Sequence, residues 1–260
     1  MSTPAVFDLH AVEKSFGHRQ ALRGITCEVA AGEFVLLLGN NGAGKSTLLR
    51  ILSTLMRPST GQVRFQGQPL HDSGGAARAR LGVISHESRF YPDLTAMENL
   101  RVFGTLYGVT DLPTILRASL AEVRLDDVPD VPVRGFSSGM LKRLAIARLL
   151  LYSPPVLLLD EPYSGLDQTS IALLDAYLRR FRDGGGTTVL VTHQFTGGVG
   201  LCTRIILLHQ GRLVYNQPES GVTAARCAEL LQQFGGGAVT TNAAPATAPP
   251  VSMRSNTGPA

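Results

Sequence analysis

The chain has 260 residues, of which 44% are hydrophobic, so it can bury a substantial core and is neither a peptide nor a coiled coil. Charged residues make up 17% and the formal net charge is +4, which suits an anionic ligand but does not choose between a nucleotide and a nucleic acid. No hydrophobic run approaches a membrane span and the N-terminal residues carry charges throughout, so we expect no transmembrane helix, no signal peptide and a cytosolic chain.

Mostly apolar runs predict the strands of a mainly parallel sheet, because strands buried on both faces are apolar throughout. In chain order these runs are Phe34–Leu38, Leu81–Ser85, Val156–Asp160, Thr187–Thr192 and Arg204–Leu208. A glycine turn between the last run and Leu213–Tyr215 predicts a late hairpin. Because helical patterns alternate with these strands, the sequence indicates the α/β class.

Helices are predicted from their start signals. The predicted starts and spans are Lys45–Leu55 after a glycine loop, a capping box at Thr95 and Glu98, Ser137 or Ser138 ahead of an apolar run to Tyr152, and Asp167–Phe181. The region of about 86–150 shows helical signals without a convincing strand, which predicts a helical subdomain. A proline-rich stretch with one charge, 236–260, predicts a disordered tail and leaves 1–235 as a single domain. The three cysteines lack metal-ligand spacing and are expected in the core.

A glycine-rich loop between a predicted strand and a predicted helix fits G-x-x-x-x-G-K-[ST]. Its residues are Gly39, Asn40, Asn41, Gly42, Ala43, Gly44, Lys45 and Ser46, with Thr47 next in the helix. In such a loop the backbone N–H groups turn toward a phosphate, Lys45 reaches the β/γ oxygens and the Ser46 hydroxyl ligates Mg²⁺. The alternative is a glycine turn with an incidental lysine, but the flanking strand and helix favour nucleotide binding.

Two carboxylates, Asp160 and Glu161, end the apolar run Val156–Asp160. An acidic pair after a strand is by itself more often a helix cap or a solvated turn. With a phosphate loop upstream, Asp160 is expected to hold Mg²⁺ and Glu161 to orient or deprotonate a water molecule. The sequence therefore predicts nucleotide hydrolysis, not binding alone.

The segment 136–140, Phe-Ser-Ser-Gly-Met, precedes a basic and apolar helix and resembles the LSGGQ signature of ABC transporter nucleotide-binding domains. The resemblance covers about residues 5–232. Ser137 and Gly139 match the signature, whereas Phe136, Ser138 and Met140 depart from it. Read without the family, a serine and a glycine at a helix start offer a hydroxyl and free N–H groups to a phosphate, or simply cap the helix.

The resemblance implies roles for residues in four further segments. Asp167 lies in a Ser-Gly-Leu-Asp segment that looks like the D-loop, although it also suits a helix cap. His193 follows the run Thr187–Thr192, where the family's switch histidine contacts the γ-phosphate, and the alternative is an unremarkable histidine after a strand. Phe16 matches the aromatic residue that stacks on adenine, and the alternative is a core or surface phenylalanine. His86 occupies the Q-loop glutamine position and joins Ser46 and Asp160 in the implied metal site.

The resemblance also implies an architecture and a set of partners. It implies a P-loop NTPase sheet domain with an antiparallel N-terminal β part and a helical subdomain insertion. It further implies an ATPase that uses ATP and Mg²⁺, pairs with a second ATPase subunit as a homodimer, and works with separate membrane-spanning permease subunits at the cytoplasmic face of the membrane. No nucleic-acid partner is expected, because no second cassette, coiled coil or basic extension is visible.

Within the family, His86 and the segment 94–100 are similar to ATPase subunits of the bacterial haem exporter of cytochrome c maturation. The turn at 67–70 adds to this similarity. Drug-type and polysaccharide-type exporter subunits carry related helices, so they remain alternatives. A soluble ABC protein of translation or DNA repair and a nucleotide-binding scaffold that scarcely hydrolyses are the competing classes, while the absence of NKxD disfavours a GTPase.

Overall fold

The computed structural model describes residues 4–72, 75–85, 90–193, 195 and 197–235. The described chain forms strands β1 Ala5–Phe16, β2 Arg19–Ala30, β3 Phe34–Leu38, β4 Thr60–Phe65, β5 Gln68–Pro69, β6 Leu81–Ile84, β7 Val156–Asp160, β8 Thr187–Val191, β9 Arg204–His209 and β10 Arg212–Pro218. Its helices are α1 Lys45–Leu52, α2 Gly75–Ala79, α3 Ala96–Leu106, α4 Leu112–Glu122, α5 Ser138–Tyr152, α6 Gln168–Asp183 and α7 Ala224–Gly235. The predicted tail, 236–260, and His86 lie outside the described residues.

The larger sheet has six strands in the order β10-β9-β3-β8-β7-β6. Its strands run parallel except for β10, which forms the predicted hairpin with β9. Strands β3 and β8 are buried at every residue, because helices or the second sheet cover both faces. This confirms the α/β class and brings the carboxyl ends of β3, β7 and β8 to one edge, where the functional loops follow.

The smaller sheet is antiparallel, in the order β2-β1-β4-β5, and confirms the antiparallel N-terminal part implied by the family resemblance. One hydrophobic core lies between it and the larger sheet and includes Phe7, Ile25 and Leu37. The register of β1 against β2 is interrupted by bulges, and Ala11 has a φ of 47°. Bulges break the period-two alternation of buried side chains, so these strands gave no clear signal in the sequence.

Helices α3, α4 and α5 pack on one another and form the helical subdomain. The predicted capping box is confirmed: the Glu98 N–H donates to Thr95 Oγ1 at 3.1 Å, and the Thr95 N–H donates to Glu98 Oε2 at 2.8 Å. Fully buried Asn99 donates to the backbone oxygens of Tyr91 and Leu94 and so fixes the chain that enters α3.

The structure corrects one predicted helix end, confirms one predicted helix start and adds one helix. Helix α1 ends at Leu52, not Leu55, because Thr54 adopts a left-handed φ of 62° that breaks the helix. Helix α5 begins at Ser138, with Ser137 as its N-cap. Helix α7 was not predicted, although its apolar residues Cys227, Leu230 and Leu231 have helical spacing.

Two further expectations concern the cysteines and the membrane. Cys27, Cys202 and Cys227 are buried free thiols, as expected. Among the helices in the described ranges, none combines the length and the hydropathy that a membrane span requires.

Candidate active site

The glycine-rich loop connects the carboxyl end of β3 to the first turn of α1, as predicted. Gly39 and Gly44 have φ values of 146° and 108°. A Cβ atom at Gly39 would lie 2.3 Å from the Leu208 carbonyl oxygen, and one at Gly44 would lie 2.7 Å from the Ala21 carbonyl oxygen. Only glycine fits at either position, so the loop is held tightly between β9 and β2.

Lys45 is the buried cation of this loop, with 6% of its surface exposed. Its Nζ donates to the Gly39 carbonyl oxygen at 2.6 Å and to the Asn40 carbonyl oxygen at 3.1 Å. Burial lowers the pKa of Lys45, and the carboxylates of Glu161 and Asp160 oppose that shift. The ammonium group is therefore held under the loop, next to the acidic pair.

The acidic pair sits two strands away from the loop, at the end of β7. The Ser46 hydroxyl donates to Asp160 Oδ1 at 3.4 Å. Glu161 has a left-handed φ of 49°, which ends the extended conformation of β7, and its backbone N–H donates to the Val191 oxygen at 2.9 Å. A hydroxyl and a carboxylate oxygen are hard oxygen donors, and Mg²⁺ in phosphate sites takes few protein ligands, so Ser46 and Asp160 fit that ion.

His193 follows β8 and faces Glu161. The His193 backbone N–H donates to Glu161 Oε2 at 3.1 Å, and His193 Nε2 lies 3.5 Å from Glu161 Oε1. Within the described part of the chain, Oε1 is buried and accepts no hydrogen bond. One carboxylate oxygen is thus fixed by the backbone while the other remains available as an acceptor.

These side chains line one cleft of about 430 Å³. Its lining is Phe16, Arg19, Ala21, Asn41, Gly42, Ala43, Gly44, Lys45, Ser46, Thr47, Arg50, Asp160, Glu161, Val191 and His193. Gly39 and Asn40 are not among the lining residues, but their carbonyl oxygens accept hydrogen bonds from Lys45. The structure therefore brings together most of the predicted site residues, which come from four separate segments.

Phe16 ends β1 at the cleft and is 48% exposed, which is high for a phenylalanine. The Nζ atom of Lys14 lies 5.5 Å from its ring centroid. A phenylalanine in the core is therefore excluded, and a flat aromatic surface is presented to whatever enters the cleft.

Ser137, Gly139 and Asp167 do not line this cleft. The Met140 N–H donates to Ser137 Oγ at 3.2 Å, and the Ser170 N–H donates to Asp167 Oδ1 at 2.7 Å, so Ser137 and Asp167 both cap helices. The hydrogen bonds from Ser170 lower the pKa of Asp167. The signature segment and the D-loop segment are neighbours, since a Cβ at Gly139 would lie 3.9 Å from the Gly165 oxygen.

Three basic residues of the site were missed in the sequence. Arg19 and Arg50 line the cleft, and an Arg19 Nη atom lies beside Gly42 of the loop. Lys142 on α5 donates to the Glu161 carbonyl oxygen at 2.9 Å and also to the Ser164 carbonyl oxygen. Burial lowers the pKa of Lys142, and Glu161 opposes the shift. Lys142 and the adjacent Arg143 are basic residues in a largely apolar helix, which was the available signal for Lys142.

The parallel sheet carries a glycine loop with a lysine after one strand and an acidic pair after another. This combination defines a P-loop nucleoside triphosphatase. Residues 22–164 match the family model described as "ABC transporter". The chain belongs to the ABC transporter family as its ATP-binding domain, and it is an ATPase. ATPase subunits of this family work with membrane permease components and form dimers.

Curated relatives of known name agree with this family. Nod factor export ATP-binding protein I of Paraburkholderia xenovorans is 35% identical over 234 residues, which is 89% of this chain and 77% of that protein. Aliphatic sulfonates import ATP-binding protein SsuB 1 of Rhizobium johnstonii is 39% identical over 221 residues, 84% of this chain and 78% of that protein. Neither name refers to haem, so the narrower resemblance to haem exporters finds no support in these two relatives.

Solved structures agree as well. An ATP-binding subunit of an ABC transporter superposes with a TM-score of 0.77 at 28% identity, covering 88% of this chain and 93% of that one. A dimeric ATP-binding cassette in a post-hydrolysis state bound to ADP and Pi gives a TM-score of 0.74 at 27% identity, covering 82% and 98%. These neighbours have the same architecture, including the antiparallel sheet and the helical subdomain.

Proposed function

We propose that this chain is the ATP-hydrolysing subunit that powers export through separate membrane-spanning permease subunits, at the cytoplasmic face of the membrane. The observation that carries the proposal is that Lys45, Ser46, Asp160, Glu161 and His193 meet in one cleft. The named relatives that act in Nod factor export support the direction of transport. Residues 1–235 form the ATPase domain in this proposal.

The predicted residues of the cleft have different tasks in this proposal. Lys45 and the loop N–H groups hold the phosphates, and Phe16 stacks on the adenine. Ser46 and Asp160 hold Mg²⁺, which when bound neutralises charge on the phosphate oxygens. His86 is retained in the proposed metal site from the family pattern alone.

Glu161 accepts the proton of the attacking water. Its Oε2 is fixed by the His193 backbone N–H, and its Oε1 is the acceptor without a hydrogen-bond partner in the described chain. A carboxylate held in this way can take up a proton without first reorganising its own hydrogen bonds. The imidazole of His193 lies next to the same carboxylate, where it can contact the terminal phosphate.

The signature residues serve a second copy of the chain in this proposal. Ser137 is the N-cap of α5 and Gly139 lies in its first turn, where free N–H groups and the helix dipole favour an anion. Because they lie outside the cleft of their own chain, the nucleotide that they contact belongs to the other subunit of a homodimer. Asp167 lies beside them and takes part in the same interface.

Ser137→Ala tests this composite site. We expect turnover to fall by about tenfold, because the phosphate loses one hydroxyl ligand, and the free energy of unfolding to fall by about 1 kcal/mol through the lost cap. ATP turnover and thermal unfolding are measured together. Thr95→Ala is the matched control, since it removes an N-cap of α3 away from the cleft and should cost similar stability without lowering turnover. If Ser137→Ala turns over ATP as fast as the control Thr95→Ala does, the proposed role of Ser137 is contradicted.

The transported substrate has two named candidates. Nod factor export follows from several relatives, whereas haem export follows from the likeness of His86 and the segment 94–100 to haem exporter subunits. Import remains the opposite alternative, because a sulfonate import protein shares 39% identity with the chain. Drug-type and polysaccharide-type export are the remaining variants of the same proposal.

Isolation from native membranes tests the partner and the direction of transport. We expect the chain to be recovered with membrane-spanning permeases. Reconstituted vesicles that carry the ATPase on the outside should accumulate substrate internally when ATP is added, and Nod factor and haem are the substrates offered. Lys45→Ala vesicles serve as the control. ATP-driven release from preloaded vesicles would indicate import, and recovery with ribosomes or DNA would indicate a non-transport ABC protein.

A further inference from the structure

A buried tyrosine packs against Gly197 and Gly198, which follow His193 in the chain. Tyr163 is 1% exposed and comes two residues after Glu161. Its hydroxyl donates to Asp175 Oδ1 at 2.6 Å, and the backbone N–H of Gly198 donates to the same oxygen at 3.1 Å. One carboxylate oxygen on α6 therefore joins the loop after β7 to the segment after β8.

The glycine pair Gly197–Gly198 packs directly against the tyrosine ring. A Cβ atom at Gly197 would lie 2.5 Å from Cε1 of Tyr163, and a Cβ atom at Gly198 would lie 2.5 Å from the hydroxyl oxygen. Gly198 also has a φ of 65°, which disfavours other residues. The ring can be fully buried at this place only because both positions lack a side chain.

We propose that Tyr163, Asp175 and Gly197–Gly198, together called the tyrosine clamp, position His193 against Glu161 for ATP hydrolysis. The proposal rests on the proposed roles of His193 and Glu161. Tyr163 is a positioning residue, because it is not among the residues that line the cleft.

The inference depends on two sets of contacts, which hold the chain before and after His193. On the N-terminal side, strand β8 fixes the chain, and its Val191 oxygen accepts the N–H of Glu161 at 2.9 Å. On the C-terminal side, the clamp fixes the chain at Gly198. The two contacts between His193 and Glu161, at 3.1 and 3.5 Å, lie between these anchors. Loosening one anchor therefore changes the distance between two groups that must act together.

The hydrogen bonds of the clamp persist across the physiological pH range. Burial raises the pKa of Tyr163, and the adjacent Asp175 carboxylate raises it further. The phenol therefore remains a protonated donor wherever the protein is folded and active. The clamp is a constant support for the loop and not a pH-dependent switch.

Tyr163→Phe tests the clamp because it removes the hydroxyl and keeps the ring. In the 260-residue chain we expect kcat for ATP hydrolysis to fall about tenfold, with KM for ATP unchanged within about twofold, since Lys45 and its loop are untouched. Tyr152→Phe is the matched control. Tyr152 is another largely buried tyrosine whose hydroxyl donates to a backbone oxygen, that of Leu81 at 3.1 Å, at the edge of the sheet opposite the cleft. It should lower the unfolding temperature comparably and leave kcat intact.

Two further variants keep the test decisive if Tyr163→Phe folds poorly. Asp175→Asn retains an oxygen acceptor for both donors and should keep kcat near the wild-type value, whereas Gly197→Ala drives a methyl group into the ring and should lower kcat with little change in KM. A wild-type kcat in both Tyr163→Phe and Gly197→Ala overturns the proposed role of the tyrosine clamp. A loss of kcat in Tyr152→Phe equal to that in Tyr163→Phe also overturns it. Glu161→Gln is measured in the same assay, and its full turnover would overturn the proposed function instead.

Discussion

Replacing Glu161 with glutamine is expected to lower ATP turnover by at least about 100-fold while ATP binding stays close to that of the wild type. The amide has nearly the same volume, and its oxygen can still accept the His193 N–H that now binds Glu161 Oε2 at 3.1 Å. It cannot accept a proton from water. The change therefore removes the general base without disturbing the contacts that hold the loop.

The Glu161→Gln experiment has three measurements: steady-state phosphate release, equilibrium ATP affinity and the fraction of dimer in the presence of ATP. Because ATP closes the proposed dimer and hydrolysis opens it, the variant should accumulate as a dimer at saturating ATP. Glu122→Gln is the control. It neutralises an exposed carboxylate of the helical subdomain, which pairs with Arg180 on α6. Turnover by Glu161→Gln at the wild-type rate contradicts its assignment as the base.

Lys45→Ala is expected to weaken ATP binding by about 100-fold, and turnover falls with it. The Lys45 ammonium now donates to the carbonyl oxygens of Gly39 and Asn40, at 2.6 and 3.1 Å, inside the loop that lines the cleft. Charge-assisted hydrogen bonds contribute about 1.5–3 kcal/mol each, so the loss of one strong phosphate contact corresponds to roughly 100-fold in affinity.

The stability of the nucleotide-free protein should change much less than the ATP affinity in Lys45→Ala. Burial lowers the pKa of Lys45 in the folded state, so the folded protein binds this proton less tightly than the unfolded chain does. At a pH below the pKa that Lys45 has in the folded protein, the charged ammonium therefore lowers the free energy of unfolding. This cost disappears as the pH rises through the pKa that Lys45 has in the unfolded chain. Removing the charge relieves that cost and offsets part of the lost hydrogen bonding.

Nucleotide affinity and thermal unfolding without nucleotide separate these two effects of Lys45→Ala. A large loss of affinity at nearly constant unfolding temperature is the expected result. Arg182→Ala, which removes one positive charge at the end of α6, is the control for net charge and should keep wild-type affinity. Unchanged ATP affinity in Lys45→Ala means that the loop does not hold the phosphates through this lysine.

Elements with a complete local signal were predicted within a few residues from the sequence. The apolar strands Phe34–Leu38 and Val156–Asp160 have the bounds that were expected. The capping box at Thr95 and the cap at Asp167 also lie where the sequence placed them. These features depend on neighbouring residues alone, since an apolar run or a cap acts over one or two turns of chain.

The sequence by itself determined the α/β class, the phosphate loop and the acidic pair, because each depends on residues adjacent in the chain. Only the tertiary structure decided that Lys45 lies beside Glu161, that Lys142 joins the signature helix to the acidic loop, and that Tyr163 supports Gly197–Gly198. It also excluded Ser137 and Gly139 from the cleft of their own chain. Such contacts join residues far apart in sequence, and strand order and packing, which no local pattern encodes, bring them together.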